Sequence, residues 1–279
     1  MKQKPKKIRI DALLVERGLF ETKTQAQKAI SDGKVKINGM ICEKAGAQFL
    51  ENVHLEIEAE KLPYVSRGGL KLERAINEFG LDLKDKICID AGASTGGFTD
   101  CMLQNGAKIV YAVDVGYGQI AWSLRTNPQV VVIEKTNIRN AEFEQIYKKT
   151  SPTDTENMAN FCSMDLSFIS ITKVLENIKK LMRPENIQIL ALIKPQFEAG
   201  KEEVPKTGVI KDKSVHVKVI KNIIEFACNL ELYPVNLTYS PIKGPAGNIE
   251  YLIYLKDTKT DNFHADSVEK VVNSANDLL

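Results

Sequence analysis

Four charged residues stand where apolar runs begin or end, and their types suit proton handling. Lys71 follows Gly68-Gly69-Leu70 at the start of a helical pattern. Asp165 ends the run Ser163-Met164-Asp165, Lys194 ends Ala191-Leu192-Ile193-Lys194, and Glu250 opens a strand-like stretch to Leu255. A lysine directly after an apolar strand is unusual, and partial burial there favours the neutral amine that can act as a base. A second ammonium group nearby would push the same way. The other informative stretch is Asp90-Ala91-Gly92-Ala93-Ser94-Thr95-Gly96-Gly97-Phe98, which follows Ile87-Cys88-Ile89. A buried strand ending in a glycine-rich turn that feeds a helix lets a ligand approach the backbone closely. The next strand, Lys108 to Val113, ends at Asp114, where a carboxylate is placed to accept hydrogen bonds from ribose hydroxyls. The glycines are not spaced G-x-G-x-x-G, so a nicotinamide or flavin site fits poorly.

These residues need a sheet to bring them together. From Lys86 on, strand patterns at 86–90, 108–114, 130–134, 161–165 and 187–193 alternate with helical ones. That alternation implies a parallel sheet with helices on both faces. Ligands of such sheets bind outside the carboxyl ends of the strands, where Asp165 and Lys194 fall. The end of the chain differs. Val235–Tyr239 and Glu250–Leu255 are expected to form an antiparallel pair across a loop containing Pro241, Gly244, Pro245 and Gly247, and 264–279 an amphipathic helix. Trp122 and Phe197 could stack on a splayed base, although Trp122 is expected to pack in the core instead.

The first 60 residues have another pattern. Residues 1–7 are expected to be disordered. Ile10, Leu13 and Leu14 sit at helical spacing in a helix over 8–17 that stops at Gly18. Thr22 offers an N-cap with Gln25 three residues on, in capping-box register. That helix runs over 23–32 to Gly33. Val35-Lys36-Ile37, an Asn38-Gly39 turn and Met40-Ile41 read as a hairpin, and 54–58 as a third short strand. Leu62-Pro63 breaks the pattern, since proline drives the preceding residue out of helical geometry. The expected division is a module over 1–60, a linker over 61–64 and a larger domain over 65–279.

The net charge of +2 conceals an asymmetry. Residues 1–36 carry ten Lys or Arg against four acids, and residues 37–60 one Lys against five Glu. A basic front end suits a polyanion. Five cysteines (Cys42, Cys88, Cys101, Cys162, Cys228) form no C-x-x-C pair and the three histidines are scattered, so no metal site is expected. The odd, dispersed cysteine count suits a reducing compartment. No stretch approaches the ~20 apolar residues that cross a bilayer, and the basic N-terminus lacks the apolar core of a secretory signal. The expected location is cytoplasmic.

The pattern D-x-G-x-S-x-G-G-F over 90–98 resembles the first motif of S-adenosylmethionine methyltransferases. The order helix, helix, hairpin, with Arg9, Asp11, Leu14, Lys23, Ala26, Ile30, Gly33, Val35, Ile37, Asn38 and Gly39, resembles the S-four RNA-binding domain over about residues 7–60. Lys71, Asp165, Lys194 and Glu250, in that order, resemble the Lys-Asp-Lys-Glu tetrad of FtsJ-type RNA ribose 2′-O-methyltransferases. Over nearly the full chain the combination is similar to the TlyA family. The resemblance implies an α/β fold: a Rossmann-like methyltransferase sheet with a last antiparallel strand, preceded by a small α+β RNA-binding domain. It implies S-adenosyl-L-methionine as cofactor, held by Asp90, Gly92, Ser94, Gly96, Gly97, Phe98, Asp114, Asn137 (on the adenine side) and Asp165. It implies 2′-O-methylation of cytidine in ribosomal RNA or ribosomal subunits, with Lys194 deprotonating the hydroxyl, Lys71 and Asp165 lowering its pKa and orienting it, and Glu250 positioning Lys71 and the nucleotide. Arg9, Lys23, Lys28, Lys34, Lys36 and Arg67 are the candidates for RNA phosphate contacts. Where that RNA-binding family often has an arginine after serine, this chain has Lys23-Thr24-Gln25, which shifts the contact towards Lys23 and Lys28. The loop Asp165-Leu166-Ser167-Phe168 lacks the D/N-P-P-Y/F motif of base amino-methylases. Two other readings are a membrane-active haemolysin, a label common among TlyA-like proteins, and an inactive RNA-binding protein. No membrane partner is expected, and the sequence points to no particular protein partner.

Overall fold

The computed structural model describes all residues except 1–6, 21, 32, 58–61, 148–153, 261–262 and 265. The chain divides into two compact units, Met1–Lys61 and Leu62–Leu279.

In the first unit, β1 (Lys7–Arg9) leads into α1 (Ile10–Glu16), followed by α2 (Lys23–Ser31), β2 (Val35–Ile37), β3 (Met40–Ile41), β4 (Gln48–Leu50) and β5 (Leu55–Ile57). The expected capping box is present: Gln25 N–H donates to Thr22 Oγ1 and Thr22 N–H to Gln25 Oε1, both at 3.2 Å. The hairpin turns at Asn38 (φ 49°) and Gly39 (φ 82°), the two positive φ values that a two-residue turn of this hand needs. β2 pairs antiparallel with both β3 and β5. Residues 8 and 9, expected in a helix, and Lys7, expected to be disordered, instead pair with β4. Residues 1–6 of that expectation, Asp32 at the end of the second helix and Glu58 at the end of the third strand lie outside the described residues. The core is Ile10, Leu13, Leu14, Ala26, Ile30, Val35 and Ile37.

The second unit opens with α3 (Gly68–Phe79) and β6 (Ile87–Ala91), then α4 (Gly97–Gln104), β7 (Ile109–Val113), α5 (Trp122–Arg125), β8 (Val130–Ile133), α6 (Phe143–Ile146) and β9 (Phe161–Met164). It continues with α7 (Leu175–Leu181), β10 (Gln188–Ile193), α8 (Pro195–Glu198), α9 (Lys213–Asn229), β11 (Tyr233–Tyr239), β12 (Tyr251–Lys256) and α10 (Ser267–Leu278). Seven strands form one sheet in the order β11-β12-β10-β9-β6-β7-β8. All neighbours are parallel except β12, which runs antiparallel to β10 and β11. The last strand therefore slots inside the sheet.

Strand residues alternate between two cores. Ile87, Ile89 and Ala91 face the layer of α7, α9 and α10, whereas Cys88 faces α3 and α4. Burial pushes the Cys88 thiol up to about 12, so it acts as a small hydrophobe. Tyr64, expected in the linker, is buried in this second core with its hydroxyl on Glu73 at 2.9 Å. Among the described residues, the connections after β7 and β8 hold α-helices of four residues each where helical segments were expected. One consequence is Trp122, which is 76% exposed rather than in the core. Ile120 and Leu124 already fill the small core on that side, with Ala93, Ala112 and Val130.

The chain leaves β6 outward through β7 to β8, then crosses back to β9 on the other side of β6. β6 and β9 thus flank the point where strand order reverses, the place where open α/β sheets bind ligands.

Candidate active site

Two short loops meet at that point. After β6 the chain turns at Gly92, with φ +88°. A Cβ at Gly92 would lie 2.6 Å from the Asp165 carbonyl oxygen, so the two strand ends approach as only glycine allows. Gly92 N–H donates to Val113 O and Asp165 N–H to Ala91 O, which ties the ends of β6, β7 and β9 together.

A cleft of about 470 Å³ opens over these ends, lined by Gly92, Ser94, Asp114, Asn137, Asp165 and Phe168 among others. Its volume lies in the range of small-molecule sites, roughly 300–1,000 Å³. Asp114 accepts from Ser94 N–H at 2.8 Å and from Gly116 N–H at 2.7 Å. Each of its oxygens keeps a lone pair for a hydroxyl donor. Asn137 caps a short helical turn by accepting from Arg139 N–H at 3.1 Å.

Four candidate cofactor residues lie elsewhere. Asp90 is fully buried between the sheet and α4, accepting from Thr99 Oγ1 at 2.6 Å and Ser163 Oγ at 3.1 Å. Burial pushes its carboxyl up to about 6 against those two hydrogen bonds. Gly96 and Gly97 form the start of α4, and Phe98 packs in the core beneath it. These residues build the turn; they do not line the cleft.

Lys71 from α3 and three strand-end charges, Asp165, Lys194 and Glu250, come together in one cluster. Lys71 Nζ donates to Glu250 Oε2 at 2.6 Å and lies 3.7 Å from Asp165 Oδ2. Lys194 Nζ is 2.6 Å from Asp165 Oδ1 and donates to Ser167 Oγ at 2.9 Å. The Lys194 approach to Oδ1 is an ion contact without hydrogen-bond alignment, and that oxygen has no hydrogen-bond donor among the described residues. Lys71, Lys194 and Glu250 are buried, and two lysines stand against two acidic side chains. Lys71 and Lys194 stand against the two oxygens of the same Asp165 carboxylate. Asp165 also lines the cleft, which makes it the link between the cleft and the buried charges.

The strand-end pattern pointed to Asp165, Lys194 and Glu250 and the helix start to Lys71, but not to Ser167 beside Lys194, nor to Gln119 and Thr136 in the cleft lining. Ser167 lies two residues past Asp165, and its position in a strand-end loop was the available signal. Phe168, 89% exposed at φ 63°, lines the cleft with its ring centroid 5.0 Å from that of Phe197. Phe197 is half-buried.

Of the candidate RNA residues, Lys23 and Lys28 are exposed on α2, and Lys34 and Lys36 are half-buried around β2. Arg67 is exposed at the N-terminus of α3. Arg9 is committed within its own module. It pairs with Asp11 at 2.7 Å, and Gln27 Nε2 donates to the same carboxylate at 2.8 Å. The Arg9 hydrogen bonds hold the buried Asp11 carboxyl well below the usual carboxylate range.

Residues 64–257 match the model of the FtsJ-like methyltransferases, and residues 8–53 that of the S4 domain. The chain is 38% identical over 272 residues to the 16S/23S rRNA (cytidine-2′-O)-methyltransferase TlyA of Mycobacterium tuberculosis, covering 97% of each chain. It is 40% identical over 248 residues to Hemolysin A of Brachyspira hyodysenteriae, covering 88% of this chain and 99% of that one. A solved structure of a Streptococcus thermophilus protein that carries the name hemolysin aligns at TM-score 0.75 and 44% identity, over 98% of this chain and 97% of that one. A cofactor cleft at the switch point, four charges drawn from α3 and from the residues flanking β9, β10 and β12, and a separate S4 module thus agree with these matches, and the chain belongs to the FtsJ-like methyltransferases as a member of the TlyA family.

Proposed function

We propose that this chain methylates the ribose 2′-hydroxyl of cytidine in ribosomal RNA, with S-adenosylmethionine as donor. The observation that carries the reading is the buried chain Glu250–Lys71–Asp165–Lys194, which reaches the cleft through Asp165. When bound, the cofactor supplies an electrophilic methyl group on a sulfonium. Asp114 would hold its ribose, with the Gly92–Ser94 turn against its backbone-facing side and Asn137 near its adenine.

A ribose hydroxyl is a weak nucleophile, so the protein must remove its proton as the methyl moves. Lys194 takes that proton on Nζ. Asp165 stands beside both lysines, and Ser167 Oγ accepts from Lys194 Nζ, which acts as the base in its neutral amine form. Lys71, itself held by Glu250, places a second positive charge beside the developing alkoxide. The S4 module supplies RNA affinity through Lys23 and Lys28, since phosphate contacts position a protein on RNA without choosing sequence.

Mapping 2′-O-methyl groups in ribosomal RNA from cells with and without the gene tests the reaction. Loss of a methyl at one or more cytidines is expected, and an unchanged map removes the reading. Asp114→Ala should weaken S-adenosylmethionine binding by about 1–3 kcal/mol, the cost of unpaired polar groups. Calorimetry that returns the wild-type affinity would rule out the ribose contact. Deleting residues 1–60 should leave cofactor binding intact, while affinity for ribosomal RNA and its salt dependence both fall. A truncated protein with the full affinity and the same salt slope would take RNA binding away from the module.

The hemolysin names of two relatives raise membrane activity as a competing reading. Among the described residues no helix is long and apolar enough to cross a membrane. Leakage assays on liposomes with purified protein separate the two, and no leakage is expected.

A further inference from the structure

Glu250 is the member of the charged group most dependent on its surroundings. It is 1% exposed, and it precedes β12 at the end of the loop over 240–250. Two neighbours in sequence tie it to one distant segment. Asn248, also 1% exposed, accepts from Ile210 N–H on Oδ1 at 3.0 Å and donates from Nδ2 to Gly208 O at 2.9 Å. Tyr251, fully buried, bonds through its hydroxyl to His216 Nδ1 at 2.6 Å, and His216 Nε2 lies 3.1 Å from Ile210 O.

The proton positions follow from the partners. The Ile210 carbonyl can only accept, so Nε2 carries the imidazole proton, and Nδ1 accepts from Tyr251. Burial lowers the proton affinity of His216 and keeps that neutral tautomer. Gly208 and Ile210 belong to no helix or strand, and they lie between α8, directly after Lys194, and α9. Both flanks of Glu250 are therefore bolted to the segment that continues from Lys194.

The loop also shapes the space around the carboxylate. Gly244 N–H donates to Asn248 O at 2.9 Å, and a Cβ on Gly244 would lie 2.4 Å from Glu250 Oε1. The loop closes over the carboxylate with no room for a methyl group.

We propose that Asn248 and the His216–Tyr251 pair are positioning residues for Glu250: they fix the entry into β12 so that its carboxylate meets Lys71. This rests on the catalytic reading of the four charges. It assigns a purpose to three buried polar residues that touch neither the cleft nor the lysines. A misplacement of about 1 Å at such a site can cost ~100-fold in rate.

The test is a double-mutant cycle in the full chain, read as methyl transfer to ribosomal RNA at saturating cofactor. Asn248→Ala should lower kcat by about 10–100-fold with KM for RNA nearly unchanged. Glu250→Gln keeps an oxygen towards Lys71 and a residual rate, measurable in a single turnover. In that background Asn248→Ala should cost little more, because its effect passes through Glu250. Gly244→Ala, at a position with ordinary φ, gives a second entry should Asn248→Ala fold poorly. Its methyl presses on Glu250 Oε1 directly and should show the same non-additive loss. A wild-type kcat in either variant, or the same factor lost with and without Glu250→Gln, overturns the positioning role. A wild-type rate for Glu250→Gln alone overturns the catalytic reading of Glu250, and the positioning role with it.

Discussion

Lys194→Arg is expected to bind S-adenosylmethionine and ribosomal RNA as the wild type does and to lose methyl transfer by about 10²–10⁴-fold, the usual worth of general-base help. Arginine keeps the positive charge opposite Asp165, which the 2.6 Å ion contact requires. It stays protonated under all ordinary conditions and cannot accept the 2′-proton. The substitution therefore separates two roles that lysine combines, charge partner and base. Lys194 is buried at the end of β10, so the variant needs a thermal melt beside the kinetics to show that the larger side chain is tolerated. The decisive measurement is single-turnover methylation with both ligands saturating. A rate near that of the wild type would mean that charge alone suffices and that the proton leaves by another path, such as water.

The features legible in the sequence were those whose partners are local or periodic. The strand, glycine turn and helix of 87–104 declare themselves within a single unit, and Asn38-Gly39 forces its hairpin by φ alone. The apolar runs gave every strand of the large sheet to within one or two residues, and with them the strand-end positions of Asp165 and Lys194. What they could not give was pairing. β1 and β4 are three residues each, too short for a period, and they meet through a partner about forty residues away in the chain. Lys71 and Glu250 are 179 residues apart, and only the sheet order brings them within 2.6 Å. Trp122, expected in the core, is exposed because the space beneath α5 is taken by Ile120 and Leu124. Asn248 carried no signal as a single polar residue. Its meaning lies in two backbone partners on another segment.

Lys71→Met is expected to destabilise the protein as well as silence it. Lys71 and Glu250 are 7% and 1% exposed, and the ammonium of one is the hydrogen-bond donor to the carboxylate of the other. Removing one member of a buried pair strands the remaining charge, which costs about 3–5 kcal/mol. For a unit of this size each kcal/mol moves the melting temperature by about 2–4 °C. Asp165 is spared, because Lys194 still stands against it. The penalty thus belongs to Glu250 alone, and it should vanish with that charge: Lys71→Met combined with Glu250→Gln should melt several degrees above Lys71→Met. Both forms should remain inactive, because the second positive charge beside the hydroxyl is gone in each. A single variant that melts with the wild type would mean that Glu250 finds water or another donor in solution. A double variant no more stable than the single would place the damage in lost packing around the Lys71 stem. Recovery of stability without recovery of methylation would show that the pair is retained for the charge it gives the site, since a neutral pair can hold the fold.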